Sequence, residues 1–404
     1  MLNVVTYKKA LELLEENFKY LKWGHIDVPI HLAKGKVLFE DILAKEDIPG
    51  FDRSSMDGYA VKSKDTHGAS LSIPAFFNIV GKVEMGKDTD FEIKSGDCAY
   101  IPTGGKIPKG ADAVMMIEHT ENLKNQMLGY KPLHVNENVI GKGEDLKKGE
   151  VAIKKGTKLN AMHIGLLASL GISKVKIFAP LKMYIISTGN EIVDIEKQNL
   201  EEGEIRDSNR YILESFILEN HIVAGFSLCK DNLEEIENAI KKGLELADIV
   251  LISGGSSVGA KDFSHAAVEN NGATIFIDGI AIKPGKPTFV ARKEDKLIFC
   301  LAGHPMAVGI GYKLFVDNVI NSYISNQNKE VLHAKAKINF PSSSGRTTVM
   351  PVELETINNT LYATPLFTKS SVMSTLAKSQ GYTLIDANIE GIYKDETIEV
   401  YPLY

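Results

Sequence analysis

The strongest chemical signal in the chain is a glycine- and serine-rich run behind a short apolar stretch, Leu251-Ile252-Ser253-Gly254-Gly255-Ser256-Ser257-Val258-Gly259-Ala260-Lys261-Asp262. It reads as a buried strand that ends in a loop, with a helix after it. In open α/β sheets ligands bind beyond the carboxyl ends of the strands. Glycines let backbone N–H groups approach an anion, hydroxyls add donors, and a helix N-terminus adds positive potential. The pattern predicts phosphate or oxyanion binding, with an ordinary tight βα turn as the plainer alternative. It is neither a P-loop nor a dinucleotide Gly-x-Gly-x-x-Gly motif. A second turn of this kind is Ile185-Ile186-Ser187-Thr188-Gly189-Asn190-Glu191, whose Glu191 reads equally as a ligand carboxylate or a first-turn charge. Behind it Asp207 and Ser208 read as N-caps.

Ile282-Lys283-Pro284-Gly285-Lys286-Pro287 holds two lysines on a proline-stiffened turn, so little entropy is lost in presenting them to an anion. Leu301-Ala302-Gly303-His304-Pro305 adds a further loop, where His304 reads as an N-cap or structural residue before it reads as a general base. Far upstream, Asp47-Ile48-Pro49-Gly50-Phe51-Asp52-Arg53-Ser54-Ser55-Met56-Asp57-Gly58-Tyr59-Ala60-Val61 is dense in carboxylates and hydroxyls. Together with Ile101-Pro102-Thr103-Gly104-Gly105 and the Glu144-Asp145 pair it offers oxygen ligands suited to Mg²⁺. No histidine cluster supports zinc.

These segments need elements to hold them. Leu11, Leu14, Phe18 and Leu21 recur at helical spacing, which predicts an amphipathic helix over 7–22. Short apolar runs between turn clusters predict a β-rich region over 47–141, followed by the glycine- and charge-rich connection 141–149. A helix over 160–170 is capped by Asn160 and stopped by Gly171. From 181 to 324 strands and helices alternate: a strand at 183–186, helices over 208–220 and 232–246, and the wholly apolar strand Ile249-Val250-Leu251-Ile252. Asp231 and Glu234 stand at capping-box spacing at the head of the second helix, and Pro305 suits a first helical turn. Such alternation predicts a doubly wound α/β domain. Beyond about 330 helical spacing fades, and Asn358-Asn359 marks a hairpin turn in a small all-β domain.

Across 404 residues, 44% hydrophobic and 24% charged, composition excludes disorder, and a formal charge of −6 argues against a nucleic-acid binder. Three scattered cysteines exclude a disulfide framework. The first residues lack a signal-peptide pattern, and no apolar run nears the ~20 residues that span a bilayer, which predicts a cytoplasmic, membrane-free protein.

The segment 49–61, the turn 187–191, the loop 254–259 with Asp262, and the lysine turn 282–287 occur in one collinear order over nearly the whole chain. In combination they closely resemble the MoeA family, the molybdopterin molybdenumtransferases, whose fold is related to the gephyrin E-domain. The resemblance implies an α/β and β multidomain chain in four parts. These are a discontinuous linking domain (1–46 and 142–180), a β-rich inserted domain (47–141), a doubly wound α/β domain like that of molybdopterin adenylyltransferases (181–328), and a C-terminal β-barrel (329–404). It further implies a homodimer with composite active sites that inserts molybdate into adenylylated molybdopterin, with Mg²⁺ assisting and AMP released.

Positions matching the family's functional carboxylates are Asp57, Asp145, Glu191, Asp231 and Asp262, with Thr103 as the matching hydroxyl. By the same resemblance Asp57 and Thr103 face the partner's α/β pocket; Glu191 and Asp262, just after strand-end loops of the α/β domain, are expected to hold or orient the metal. Substrate contacts are expected from Ser187, Thr188, Gly189, Gly254, Gly255, Ser256, Ser257, Gly259, Lys283, Lys286 and Pro305. Transient partners would be the adenylyltransferase and acceptor molybdoenzymes. Two departures stand out. Leu301-Ala302-Gly303-His304-Pro305 replaces the family's Leu-Pro-Gly-Asn-Pro, and Val139-Ile140-Gly141-Lys142 replaces its arginines ahead of Gly143-Glu144-Asp145. The alternative functions are a molybdopterin adenylyltransferase activity on the same α/β domain, or a non-catalytic scaffold like the receptor-binding role of the gephyrin E-domain.

Overall fold

The computed structural model describes residues 4–254, 258–326, 330–367 and 371–403, and of 258–261 the backbone alone. Helix α1 (Tyr7–Phe18) opens on Thr6, whose hydroxyl accepts from Lys9 N at 3.2 Å. It ends four residues before the predicted limit. Tight turns from Tyr20 N to Asn17 O and Leu21 N to Phe18 O still carry Leu21 inward, which is why the periodicity runs on. The buried stripe Ala10, Leu14, Phe18 lies in the core of the α/β domain.

The segment that follows α1 pairs with a distant one. Strand β1 (His25–Pro29) is antiparallel to β2 (Lys174–Phe178), and Ile42–Leu43 pairs with Val151–Ile153. Helix α2 (Ala161–Ser169) starts as the sequence indicates: His163 N donates to Asn160 Oδ1 at 2.9 Å, and Asn160 N donates to His163 Nδ1 at 3.1 Å. Leu38, Ile153, Leu159, Leu167, Val175 and Ile177 give these pieces a core of their own. Between them a bridge from Ile48 to Leu146 closes the base of an inserted six-stranded sheet. Its order is Ala113–Met116, Gly58–Val61, Asp97–Ile101, Ala75–Lys82, Gln126–Gly129, Thr120–Leu123.

The α/β domain is built on β3 (Lys182–Thr188), β4 (Ile222–Cys229), β5 (Ile249–Ser253), β6 (Thr274–Asp278), β7 (Phe289–Lys293) and β8 (Lys296–Leu301), in the order β4-β3-β5-β8-β7-β6. The first four in that order are parallel, and β7 is antiparallel to both of its neighbours. β5 shows why its sequence is apolar throughout. Ile249 and Leu251 enter one core with α1, α3 (Asn209–Leu218) and α6 (Pro305–Gly311). Val250 and Ile252 enter the other with α4 (Leu233–Leu246) and the C-terminal half of α5 (Val258–Asn270). The doubly wound architecture follows directly from a side-chain period of two.

One capping expectation is corrected. Asn232, not Asp231, caps α4, its Oδ1 accepting from Glu234 N at 2.9 Å and Glu235 N at 3.3 Å. Its extended backbone (φ −133°, ψ 128°) is that of an N-cap.

A π-helical turn (Tyr312–Asp317) leads into α7 (Asn318–Ile324). The C-terminal strands Thr347–Ile357, Thr360–Pro365, Leu332–Ala336, Thr397–Pro402 and Gly381–Ile385 close into a five-stranded barrel. Asn358 and Asn359 form its hairpin turn with φ of 47° and 61°. No helix among the described residues is long and apolar enough to cross a membrane.

Candidate active site

The parallel strands β3, β5 and β8 end in three glycine turns that touch. Gly254, at φ +128°, lies so close to Thr188 that a β-carbon would overlap it. One placed on Gly303 would stand 3.1 Å from Gly254 Cα. Glycine is therefore required here for close approach as much as for backbone freedom. Asn209, at the head of α3, ties the group together, its Nδ2 donating to Gly303 O at 2.7 Å.

Four polar atoms at this junction are buried without a partner among the described residues: Ser187 Oγ, Thr188 Oγ1, Ser253 Oγ and Asn209 Oδ1. Buried polar groups are nearly always hydrogen-bonded, and exceptions point to an absent ligand or water. Hydroxyls that can donate, gathered at strand ends, suit an anion such as phosphate.

The neighbouring loop is organised by Asn190. Its Oδ1 accepts from Asp231 N at 3.1 Å, and its carbonyl accepts from Lys230 Nζ at 3.0 Å. Gly189 N donates to Cys229 O at 3.2 Å, so the ends of β3 and β4 bring the Glu191 and Asp231 loops together. Glu191 is exposed, with its carboxylate beside Gly189, where a β-carbon would lie 2.9 and 3.0 Å from the two oxygens. Asp262 is exposed in the first half of α5. Gly255, Ser256 and Ser257 lie outside the described residues, and Gly259 is in the first turn of α5. Burial, with Glu235 adding repulsion, pushes the Cys229 thiol up to about 11, so it stays protonated at neutral pH and is no nucleophile.

Lys283 and Lys286 differ. Residues 282–283 pair with 347–348 of the barrel, and Lys283 Nζ donates to Ser343 Oγ at 2.8 Å. Lys286 is half-buried and has no side-chain partner among the described residues. Pro305 begins α6, and His304 occupies the N-cap position without a side-chain capping bond. For α3 it is Asp207 that caps, accepting from Arg210 N at 3.1 Å, while Ser208 makes no such bond. Sequence reasoning missed Asn209, Ser253 and Ser343 as site residues. Only the position of Ser253 at a strand end could have marked one of them.

Asp57 and Thr103 are brought together elsewhere, at one end of the inserted sheet. Asp57 Oδ1 accepts from Thr103 N at 2.7 Å and from Thr103 Oγ1 at 3.1 Å. Asp145 is exposed in the 141–149 connection, where its N–H donates to Ile48 O at 3.0 Å. Close by, Glu144 accepts from Gly141 N and Asp52 from Lys142 N. Among the described residues no hydrogen bond or ion pair joins 49–141 to 180–330. Nor do three His, Cys, Asp or Glu side chains cluster as a metal cage. Mg²⁺ is a cation that takes one or two carboxylates and completes its shell from substrate and water.

Comparison with known proteins covers almost the whole chain. Residues 5–171 match the family model of the MoeA N-terminal region (domain I and II), 184–322 that of a probable molybdopterin binding domain, and 333–403 that of the MoeA C-terminal region (domain IV). A molybdopterin molybdenumtransferase of Bacillus subtilis is 32% identical over 94% of this chain and 89% of its own. One from Staphylococcus aureus strain Mu50 is 35% identical over 72% and 70%. A solved molybdopterin biosynthesis MoeA protein from Pyrococcus horikoshii OT3 superposes with a TM-score of 0.85 at 29% identity, over 98% of this chain and 99% of that one.

Proposed function

The chain belongs to the MoeA family, and from that premise we propose that it is a transferase of molybdenum cofactor biosynthesis that inserts molybdate into adenylylated molybdopterin, hydrolysing the adenylate and releasing AMP. The observation that carries the reading is the group of unpartnered buried atoms on Ser187, Thr188, Ser253 and Asn209 beside the touching glycine turns at the strand ends. In this reading the three hydroxyls donate to phosphate oxygens, and Asn209 Oδ1 accepts from a hydroxyl or amine of the nucleotide. Lys286, without a counter-ion among the described residues, attracts the oxyanion, and Lys283 is held by Ser343 at the barrel side of the same turn. Pro305, at the N1 position of α6, follows the Gly303 turn at the end of β8.

Glu191 and Asp262 would hold Mg²⁺, which would supply Lewis-acid polarisation of the phosphoanhydride. Asp231 and Asp145 are the remaining carboxylates for orienting water. Asp57 and Thr103 act as a pre-bonded pair whose shared proton donors fix the carboxylate's direction. They belong to the inserted sheet, whose core is distinct from those of the α/β domain and which shares no hydrogen bond or ion pair with it among the described residues. This supports delivery to the strand-end turns of a second copy, in a homodimer with composite sites. A two-fold dimer would use the same surface twice.

The test is to supply adenylylated molybdopterin and molybdate and to follow AMP release and cofactor formation. Stoichiometric AMP and cofactor are expected. ATP consumption with free molybdopterin, or no turnover of either substrate, would overturn the assignment.

A further inference from the structure

The linking domain and the α/β domain are joined by two chain crossings that lie side by side. Ala179 N donates to Gly24 O at 3.0 Å, and the β1–β2 ladder begins at His25 opposite Phe178. Paired crossings of this kind form a hinge, since a few residues at element ends can absorb the rotation. Two contacts from the end of α7 restrain it. Trp23, the chain's single tryptophan, donates from Nε1 to Phe18 O at 3.2 Å. Its ring is backed by Tyr323 (4.9 Å, 17°), on the same α/β side of the crossing, and reaches the linking domain by meeting Phe178 edge-on (6.2 Å, 90°).

On the far side Asn326 N donates to Gly156 O at 2.9 Å, and Asn326 Nδ2 donates to Lys155 O. A β-carbon on Gly156 would lie 2.7–2.8 Å from the Asn326 side chain, so this glycine leaves the room in which the amide sits. Lys155 in turn lies over the rings of Phe39 and Phe178. An open groove of about 350 Å³ lies beside these contacts, lined by Val151, Lys154, Phe178, Tyr323, Ile324 and Asn326. Among the described residues this seam is crossed by the Trp23 ring, backed by Tyr323, against Phe178 and by the two Asn326 bonds, which together can act as a latch.

We propose that Tyr323 and Asn326 are positioning residues that latch the linking domain, and the β-rich domain it carries, at one angle to the α/β domain. The latch sets where the Asp57–Thr103 pair is presented. This rests on the role given to that pair above. Displacing reacting groups by about 1 Å can cost ~10²-fold in rate without touching the pocket itself.

The experiment places nitroxide labels at Leu71→Cys in the inserted domain and Leu218→Cys on α3, both exposed; the native Cys98, Cys229 and Cys300 are buried. Labelled chain is diluted in unlabelled chain, and the pulsed-EPR distance distribution is compared with that of the Tyr323→Ala/Asn326→Ala variant. The distribution should broaden, while kcat for AMP release falls by up to ~10²-fold and KM for the adenylylated pterin is unchanged. Tyr323→Phe, which keeps the ring, should behave as the parent. An unchanged distribution overturns the latch, and a broadened one with unchanged kcat overturns its positioning role. The distances need no turnover. A fully active Asp57→Ala chain would therefore sink the functional reading separately.

Discussion

Replacing Ser253 with alanine should have opposite effects on the empty and the liganded protein. Ser253 ends β5 opposite Ser187 and Leu301, is 2% exposed, and its hydroxyl has no partner among the described residues. Holding a hydroxyl out of water unpartnered costs ~1–3 kcal/mol. Alanine removes that cost and leaves behind only the space of one oxygen. The empty protein should therefore gain ~1 kcal/mol, read as a higher urea midpoint with an unchanged slope. In the complex the same substitution deletes a hydrogen bond to a charged phosphate oxygen, worth ~1.5–3 kcal/mol. That corresponds to a Kd for the adenylylated pterin raised ~10- to 100-fold, measured by calorimetry. Ser187→Ala should follow the same pattern. A variant that loses stability while binding as tightly as the parent would refute the reasoning, because the hydroxyl would then be serving the fold and not the ligand.

Mixing an Asp57→Ala chain with an Asp262→Ala chain should restore partial AMP release through heterodimers, and complete absence of complementation would argue for sites built within one chain. Lys286→Ala should weaken pterin-nucleotide binding, most at low salt where attraction is least screened; an unchanged Kd removes its assigned role. Asp262→Asn and Glu191→Gln should fold normally yet release AMP slowly, and parental rates with parental Mg²⁺ dependence would leave both as simple surface carboxylates. Burial holds His221 down at about 4, against an ordinary value near 6.5, so the unfolded chain takes up a proton at pH values where the folded one does not. Stability should rise with pH across that window by up to ~3 kcal/mol. His221→Gln should flatten this rise in urea titrations; an equally steep profile would place the titration elsewhere.

Much of the architecture is legible locally because it follows from energies acting over a few residues. The unbroken apolar run of β5 requires burial on both faces, and it has it. Asn160 caps α2, and Asn358-Asn359 turn a hairpin, because short amide side chains tolerate those backbone conformations. The glycine/serine turns of β3 and β5 point to the proposed anion site for the same reason: small residues at strand ends leave donors and room.

What the sequence leaves open depends on contacts between residues far apart in the chain. The stripe of α1 specifies an apolar partner but not which one, and packing assigns it to the α/β core across more than 160 residues. Asp231 and Asn232 are comparable caps on paper; the backbone entering α4 favours Asn232 and leaves Asp231 bonded through its N–H to Asn190. Asn209 reaches Gly303 over 94 positions, and Asp57 meets Thr103 over 46. That the pair sits on a sheet with a core distinct from those of the α/β domain is likewise a property of assembled cores. Periodicity, caps and turns are paid for within one element, whereas a site is the meeting of several, and only the packing of whole domains selects which loops meet.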